Sequence, residues 1–127
     1  MNEMHLYEYA VIRYVPRVER EEFMNIGLVM MSKRAKWIKA RLLINERRYS
    51  CFDNAMTIDR LADQCNGFVR IAHGDKSAGP IAELLPEERF RWITAMKSAC
   101  IATSRPHPGR CENLEETFDR LFNELVK

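Results

Sequence analysis

The chain lacks several features that would assign it to a functional class at once. Its four cysteines include no Cys-x-x-Cys pair, the spacing with which zinc sites commonly hold their metal, so we predict reduced and mostly buried thiols. No apolar run approaches the roughly 20 residues that a membrane span needs. The first residues lack the basic start and apolar stretch of a signal peptide. The sequence therefore predicts a cytoplasmic protein with no metal site, no cofactor and no membrane partner.

Strong charge of either sign is also missing. The formal net charge is +2 and the sequence pI is about 8.4, a balance that neither demands nor excludes a nucleic-acid partner. The 127 residues and the 46% hydrophobic content are typical of one domain with a real core. We therefore expect residues 1–127 to form a single domain.

Three segments in the first third of the chain are predicted to be β-strands. Residues 6–15 alternate between two faces and are rich in aromatic and β-branched residues, with bulk on both faces, so this strand is expected to be central. Residues 24–32 form an apolar run in which Gly27 indicates a bulge or a close backbone approach. Residues 37–44 alternate as in a sheet with one covered face, and a short polar turn predicts antiparallel pairing with residues 24–32.

Helical patterns follow these strands. Apolar residues from 58 to 72 share one helical stripe after Thr57, a suitable N-cap, and Pro86 opens a helix that runs to about Ile93. Asn113 caps a last helix, whose apolar face is Leu114, Phe118, Leu121, Phe122, Leu125 and Val126. Residues 94–103 fit either a longer helix or a fourth strand, and residues 104–110 read as a loop. These patterns predict an α+β fold, a mainly antiparallel sheet of three to five strands with two or three helices packed on one face.

Four segments carry a resemblance to a known family. They are residues 9–16 (Tyr-Ala-Val-Ile-Arg-Tyr-Val-Pro), residues 22–29 (Glu-Phe-Met-Asn-Ile-Gly-Leu-Val), residues 89–95 (Arg-Phe-Arg-Trp-Ile-Thr-Ala) and the loop at 104–109. Together they resemble the domain-of-unknown-function 3037 (DUF3037) family. The resemblance implies no established activity. Because its members are often encoded beside a HipA-like serine/threonine kinase, it implies a companion or antitoxin role by association.

Polar residues inside these motifs are the candidate site: Arg13, Glu22, Asn25, Arg91 and His107. Arg13 stands in an apolar strand and needs a partner, for which Glu22 is the expected carboxylate. Two interpretations stay open. The arginines could fork onto a phosphate or carboxylate, with Asn25 orienting it and His107 binding it or transferring a proton. Alternatively, the residues could form a structural salt bridge and a solvated loop histidine.

A basic hairpin offers a third functional interpretation. Its cations are Lys33, Arg34, Lys36, Lys39 and Arg41. Such a cluster can bind nucleic acid, but lysines also protect a sheet edge from unwanted pairing, and we expect the second role. The sequence thus favours a non-catalytic interaction module, and the family resemblance implies a HipA-like kinase as a partner by association. An enzyme or anionic-ligand protein using Arg13, Arg91 and His107 is the alternative, and nucleic-acid binding through the hairpin is a less favoured one.

Overall fold

The computed structural model describes residues 4–52, 54, 56–95 and 100–127. Within these residues five strands form one antiparallel sheet: β1 (His5–Tyr14), β2 (Met24–Ser32), β3 (Trp37–Leu42), β4 (Ile101–Thr103) and β5 (His107–Cys111). The helices are α1 (Glu46–Ser50), α2 (Ile58–Ala72), α3 (Pro86–Ala95) and α4 (Leu114–Leu125). The fold is therefore α+β, as the sequence patterns predict.

The strand β1 is the central strand of the sheet, as expected from its two apolar faces. One edge pairs with β2, which in turn pairs with β3 through the short turn. The other edge is shared, because β5 pairs with the first half of β1 and β4 with its end. The resulting order is β3-β2-β1-β4, with β5 beside β4 along the same edge of β1.

A β-bulge lies in β2 at the predicted glycine. Ile12 pairs with Gly27 and Arg13 pairs with Asn25, so Ile26 is the extra residue. A Cβ atom at Gly27 would lie 2.9 Å from the carbonyl oxygen of Arg41 and 2.7 Å from a methyl carbon of Leu42. Both of the alternatives raised by the sequence are present, the bulge and the close approach of backbone.

Helices cover both faces of the sheet, so the prediction that they pack on one face is wrong. Helices α2 and α3 cover the face that carries Ala10, Ile12 and Tyr14. Helix α4 covers the opposite face, which carries Val11 and Leu28. We call these the α3 face and the α4 face. Because β3 has a helix against each side, the expectation of one solvated side for this strand is also wrong.

The helix ends follow the predicted capping residues. Thr57 Oγ1 accepts a hydrogen bond of 3.3 Å from the Arg60 amide, and Asn113 Oδ1 accepts one of 3.0 Å from the Glu116 amide. Phe118, Leu121 and Phe122 are buried on the α4 face, as predicted for the last helix. No helix among the described residues is long and apolar enough to cross a membrane.

Two segments differ from their predicted structure, and a third was left open by the sequence. Residues 46–50 form α1, a helix that the sequence patterns did not predict, and the predicted loop at 104–110 contains β5. In the segment 94–103, for which helix and strand were both open, α3 extends to Ala95 and residues Ile101–Thr103 form strand β4. The open choice between helix and strand for residues 96–99 lies outside the described residues.

The shared edge of β1 depends on Ser104, which lies between β4 and β5. The Val11 amide donates a 2.9 Å hydrogen bond to Ser104 Oγ, and the Ser104 amide donates a 2.8 Å bond to the Val11 carbonyl. The side chain thus takes the place of a strand partner where β4 has ended and β5 has not begun. Ser104 is 5% exposed, so solvent has little access to these groups.

Replacing Ser104 with alanine is expected to lower the free energy of unfolding by about 1–2 kcal/mol, since the buried Val11 amide loses its acceptor. Chemical denaturation measures the change. Ser50→Ala is the matched control, because Ser50 is exposed and its hydroxyl donates within α1. Equal stability of the two variants would contradict the bridging role of Ser104.

Candidate interaction surface

Arg13 lies on the α4 face, one residue beyond the bulge. Its guanidinium carbon is 4.2 Å from the centroid of the Phe23 ring, a cation–π contact. Among the described residues, the buried Nε atom has no hydrogen-bond partner and no carboxylate forms an ion pair with the side chain. The aromatic ring, and not an acid, is therefore what this arginine contacts.

Glu22, the expected partner of Arg13, pairs elsewhere. Its carboxylate accepts from Arg20 Nε, and both side chains are at least half exposed. The predicted Arg13–Glu22 pair is wrong, because Glu22 lies in the exposed connection between β1 and β2 and pairs there with Arg20. An exposed pair of this kind contributes little to stability.

Asn25 is the residue that the structure does bring beside Arg13. The two are directly paired across β1 and β2. Asn25 Nδ2 donates a 2.9 Å hydrogen bond to the carbonyl of Leu125, at the end of α4. Its Oδ1 atom is buried and, within the described part of the chain, has no partner.

Arg91 lies on the opposite side of the sheet from Arg13. It extends from α3, and its guanidinium is 3.3 Å from a carboxylate oxygen of Glu8 on β1. Glu8 alternates with Ala10 and Ile12 and therefore points to the α3 face. The predicted approach of Arg91 to Arg13 is wrong.

His107 opens β5, directly paired with Tyr9. Their ring centroids are 5.2 Å apart, and Tyr9 packs against the core on the α4 face. Because Glu8 and Tyr9 are neighbours in a strand, His107 and Arg91 lie on opposite faces of the sheet. The five predicted residues therefore do not share one site, and only Arg13 and Asn25 are adjacent as paired residues. Whether any of them binds a ligand stays a prediction.

The basic hairpin divides into two groups. Lys39 Nζ lies 2.5 Å from a Glu115 oxygen, and Arg41 lies 3.1 Å from Asp119, so both cations form ion pairs between β3 and α4. The hydrogen bond from Lys39 keeps the pKa of Glu115 below its usual value. The cations at the turn, Lys33, Arg34 and Lys36, are exposed. Lys39 and Arg41 are therefore already paired with acids of α4. This leaves Lys33, Arg34 and Lys36 as the hairpin cations that could contact nucleic acid.

The cysteines differ in their surroundings. Cys65 and Cys111 are buried, Cys100 is half-buried and Cys51 is exposed, and all four are free thiols. Burial raises the pKa of Cys65 to about 12, which keeps this thiol protonated. In the described ranges, no three His, Cys, Asp or Glu side chains are placed to hold a metal ion.

A groove of about 320 Å³ opens on the α3 face, beyond the first turn of α3. We call it the α3 groove. Apolar and backbone surface comes from Leu6, Tyr7, Met31, Pro108 and Gly109, and charge comes from Glu8, Lys33, Glu87 and Arg91. The groove joins three strands, since Glu8 pairs with Met31 on β2 and with Pro108 on β5.

Leu6 is the unusual residue of the α3 groove. It sits in β1, yet 58% of its surface is exposed, because α3 does not extend over the start of the strand. Met4, two residues earlier, is 51% exposed. Sequence reasoning missed this surface because the alternation of residues 6–15 indicates which side chains share a face but not where the covering helix ends.

Comparison with known proteins identifies a family but no specific function. A family model described as a protein of unknown function, DUF3037, matches residues 9–126. Neither the comparison with curated proteins nor the comparison with solved structures gave a match. The matched residues run from the middle of β1 to the end of α4, and this coverage confirms the resemblance carried by the four motifs. The chain belongs to the DUF3037 family.

Proposed function

We propose that this protein is a non-catalytic interaction module whose docking surface is the α3 groove. One observation carries the proposal: the polar residues of the motifs are held apart on two faces, while Leu6 lies 58% exposed beside the groove. A catalytic site needs its groups within hydrogen-bond reach of one reacting atom. An exposed apolar group with a polar rim is the pattern of a protein-binding surface.

The rim of the α3 groove argues for a protein segment as the occupant. Glu8 and Arg91 are already paired, and Glu87 and Lys33 add one charge of each sign. A polyanion would meet two carboxylates here, which oppose its binding. A partner segment with one apolar side chain beside Leu6 and charges of both signs on its flanks matches the groove.

The family resemblance supplies the partner to test first. Because the family is associated with HipA-like serine/threonine kinases, we propose such a kinase as the protein that the groove contacts, with this chain as its companion or antitoxin in the cytoplasm. This identity rests on the association and not on the geometry of the groove. The enzyme alternative has less support, since Arg13, Arg91 and His107 do not converge.

The experiment uses a purified HipA-like serine/threonine kinase as the test partner. Leu6→Glu is expected to weaken binding by 10- to 100-fold, corresponding to about 1.5–3 kcal/mol for burying a leucine. Arg91→Glu should weaken it as well, by placing a third acid at the rim. Val18→Glu is the matched control: Val18 is 65% exposed and lies on the connection between β1 and β2. Isothermal titration calorimetry gives the affinities.

The outcomes separate the proposals. Binding that Leu6→Glu weakens and Val18→Glu leaves intact supports the α3 groove and the kinase together. Absence of binding to the kinase, with a concentration-dependent doubling of mass that Leu6→Glu abolishes, would keep the groove but replace the kinase with a second copy of the chain. Binding to the kinase that neither groove variant changes would overturn the assignment of the groove.

A further inference from the structure

The turn between β2 and β3 carries three exposed cations, Lys33, Arg34 and Lys36. We call residues 33–36 the hairpin tip. None of the three cations forms an ion pair with an acid in the part of the chain that the structure describes. The two cations of the adjoining strand β3, in contrast, each pair with an acid of α4. The hairpin tip therefore presents positive charge that no described acid balances.

The hairpin tip adjoins the exposed apolar surface at the start of β1. Lys33 is one of the residues that line the α3 groove. A second cavity of about 460 Å³, which we call the tip cavity, is lined by Met4, His5, Leu6, Arg34 and Ala35. Leu6 lines both cavities, so the two adjoin at this residue. A segment that lies in the α3 groove can therefore continue past Leu6 into the tip cavity.

The two cavities differ in charge. The α3 groove has two carboxylates in its lining, Glu8 and Glu87, and Glu8 is already paired with Arg91. The lining that the structure describes for the tip cavity contains no acid, and Arg34 supplies its positive charge. A segment that passes from the groove to the hairpin tip therefore leaves both carboxylates behind and meets cations.

The shape of the tip cavity and its apolar residues favour a protein segment over a membrane or a nucleic acid. Met4 and Leu6 are exposed yet line a concave surface, which accepts a protruding side chain. A membrane-binding surface instead projects its apolar groups into the bilayer. The backbone of a nucleic acid offers phosphates to the cations but no apolar group to bury against Met4 and Leu6. A segment with one apolar side chain and nearby carboxylates matches both parts of the surface.

We propose that the partner segment bound in the α3 groove is acidic on the side that faces the hairpin tip. Its apolar side chain lies against Leu6. Its carboxylates follow about two residues later, roughly 7 Å along an extended chain, and contact the cations of the hairpin tip. This inference rests on the proposed function, because it extends the same docking surface, but it does not depend on which protein supplies the segment.

Short peptides test the charge of the segment without the kinase. The acidic probe is acetyl-Leu-Ser-Glu-Glu-Glu-amide, the neutral probe has glutamine in place of each glutamate, and both are also made in the reverse order. Nuclear magnetic resonance follows the backbone amide signals of the isotope-labelled protein during titration. In at least one order the acidic peptide is expected to bind about tenfold more tightly than the neutral one and to shift the signals of Leu6 and residues 33–36. Added salt should reduce this preference, since it screens exposed charges.

Variants assign the preference to the hairpin tip. Arg34→Glu is expected to reduce the preference for the acidic peptide about fivefold, because it places a like charge beside the carboxylates. Arg47→Glu is the matched control, since it changes the net charge equally at an exposed position of α1, which follows the other end of β3. Leu6→Ser removes apolar surface without adding charge and should weaken the acidic and the neutral peptide alike.

The outcomes separate this inference from the proposed function. Equal binding of the acidic and the neutral peptide, both weakened by Leu6→Ser, would overturn the acidic segment and leave the α3 groove as a docking surface. A preference for the acidic peptide that Arg34→Glu reduces supports the inference even where the kinase does not bind. Binding of neither peptide, a preference that Arg34→Glu leaves unchanged, or the same signals shifted more strongly by phosphatidylserine vesicles or duplex DNA would overturn it.

Discussion

Replacing Phe122 with alanine is expected to lower the free energy of unfolding by about 3–5 kcal/mol, the largest single loss anticipated for this fold. The side chain is 2% exposed and stacks on Phe118 with ring centroids 6.3 Å apart. The guanidinium carbon of Arg41 lies 5.1 Å from its ring centroid. The variant therefore loses apolar burial and leaves a cavity between α4 and the sheet. Urea denaturation followed by circular dichroism measures the change.

Phe23→Ala provides the control for the same substitution at a surface position. Phe23 is 48% exposed, and its main contact is the cation–π interaction with Arg13. The expected loss is about 0.5–1 kcal/mol. Equal effects of the two substitutions would show that α4 does not pack on the sheet through Phe122.

Gly27→Ala is expected to cost about 3 kcal/mol, the upper end of the range for overpacking. The added Cβ would meet the Arg41 carbonyl oxygen at 2.9 Å, and this atom is backbone held in the β2–β3 ladder. The methyl group of Leu42 can move aside, but the carbonyl can move only if β3 moves with it. The substitution should therefore displace β3 or straighten the bulge.

Gly67→Ala tests whether this loss comes from the contact or from removing a glycine. Gly67 lies inside α2, and a Cβ there would have no atom within 4 Å. Alanine should stabilise the protein by about 0.5–1 kcal/mol, since glycine is a poor residue for a helix interior. Opposite signs for the two glycine substitutions are the expected result, and a loss at both positions would contradict the role of the close approach.

The elements that the sequence predicted well are those whose signal is local. The strand ending at Tyr14 and the helix beginning at Ile58 are both marked by side-chain periodicity and by a neighbouring proline or cap. The bulge could be predicted from Gly27 because a glycine in an apolar strand has few other uses. These features depend on residues within a few positions of one another.

The features that escaped prediction depend on pairing over long distances. The strand β5 contains Pro108 and Gly109, which are typical of a loop, and it is a strand because its partner β1 is present. The alternation in β3 separates Lys39 and Arg41 from its apolar residues, yet it does not say that acids on α4 cover these cations. The side of the sheet on which each helix packs could not be derived from the pattern of one segment.

The candidate site was predicted from the types of residue in the motifs and not from where those residues lie in the folded structure. Arg13 was predicted to pair with a carboxylate, but its guanidinium carbon lies 4.2 Å from the centroid of the Phe23 ring, and its Nε has no hydrogen-bond partner among the described residues. Arg91 and His107 were grouped with it because they share the motifs of one family. Residues of the same motifs can lie on one face of a sheet or on opposite faces. Which of these arrangements holds depends on the strand register, and the sequence of one segment does not give that register.

The shared edge of β1 has a consequence for the synthesis of the chain. Val11 and Ser104, which bond to each other, are 93 positions apart. A ribosome making this protein releases β1 and β2 early, and these can form a hairpin, but the other edge of β1 waits for β4 and β5. Contacts of such sequence separation slow folding, and an open central strand can pair with another nascent chain. Premature termination before residue 101 would therefore leave a product in which β1, the central strand of the complete sheet, lies at an unprotected edge.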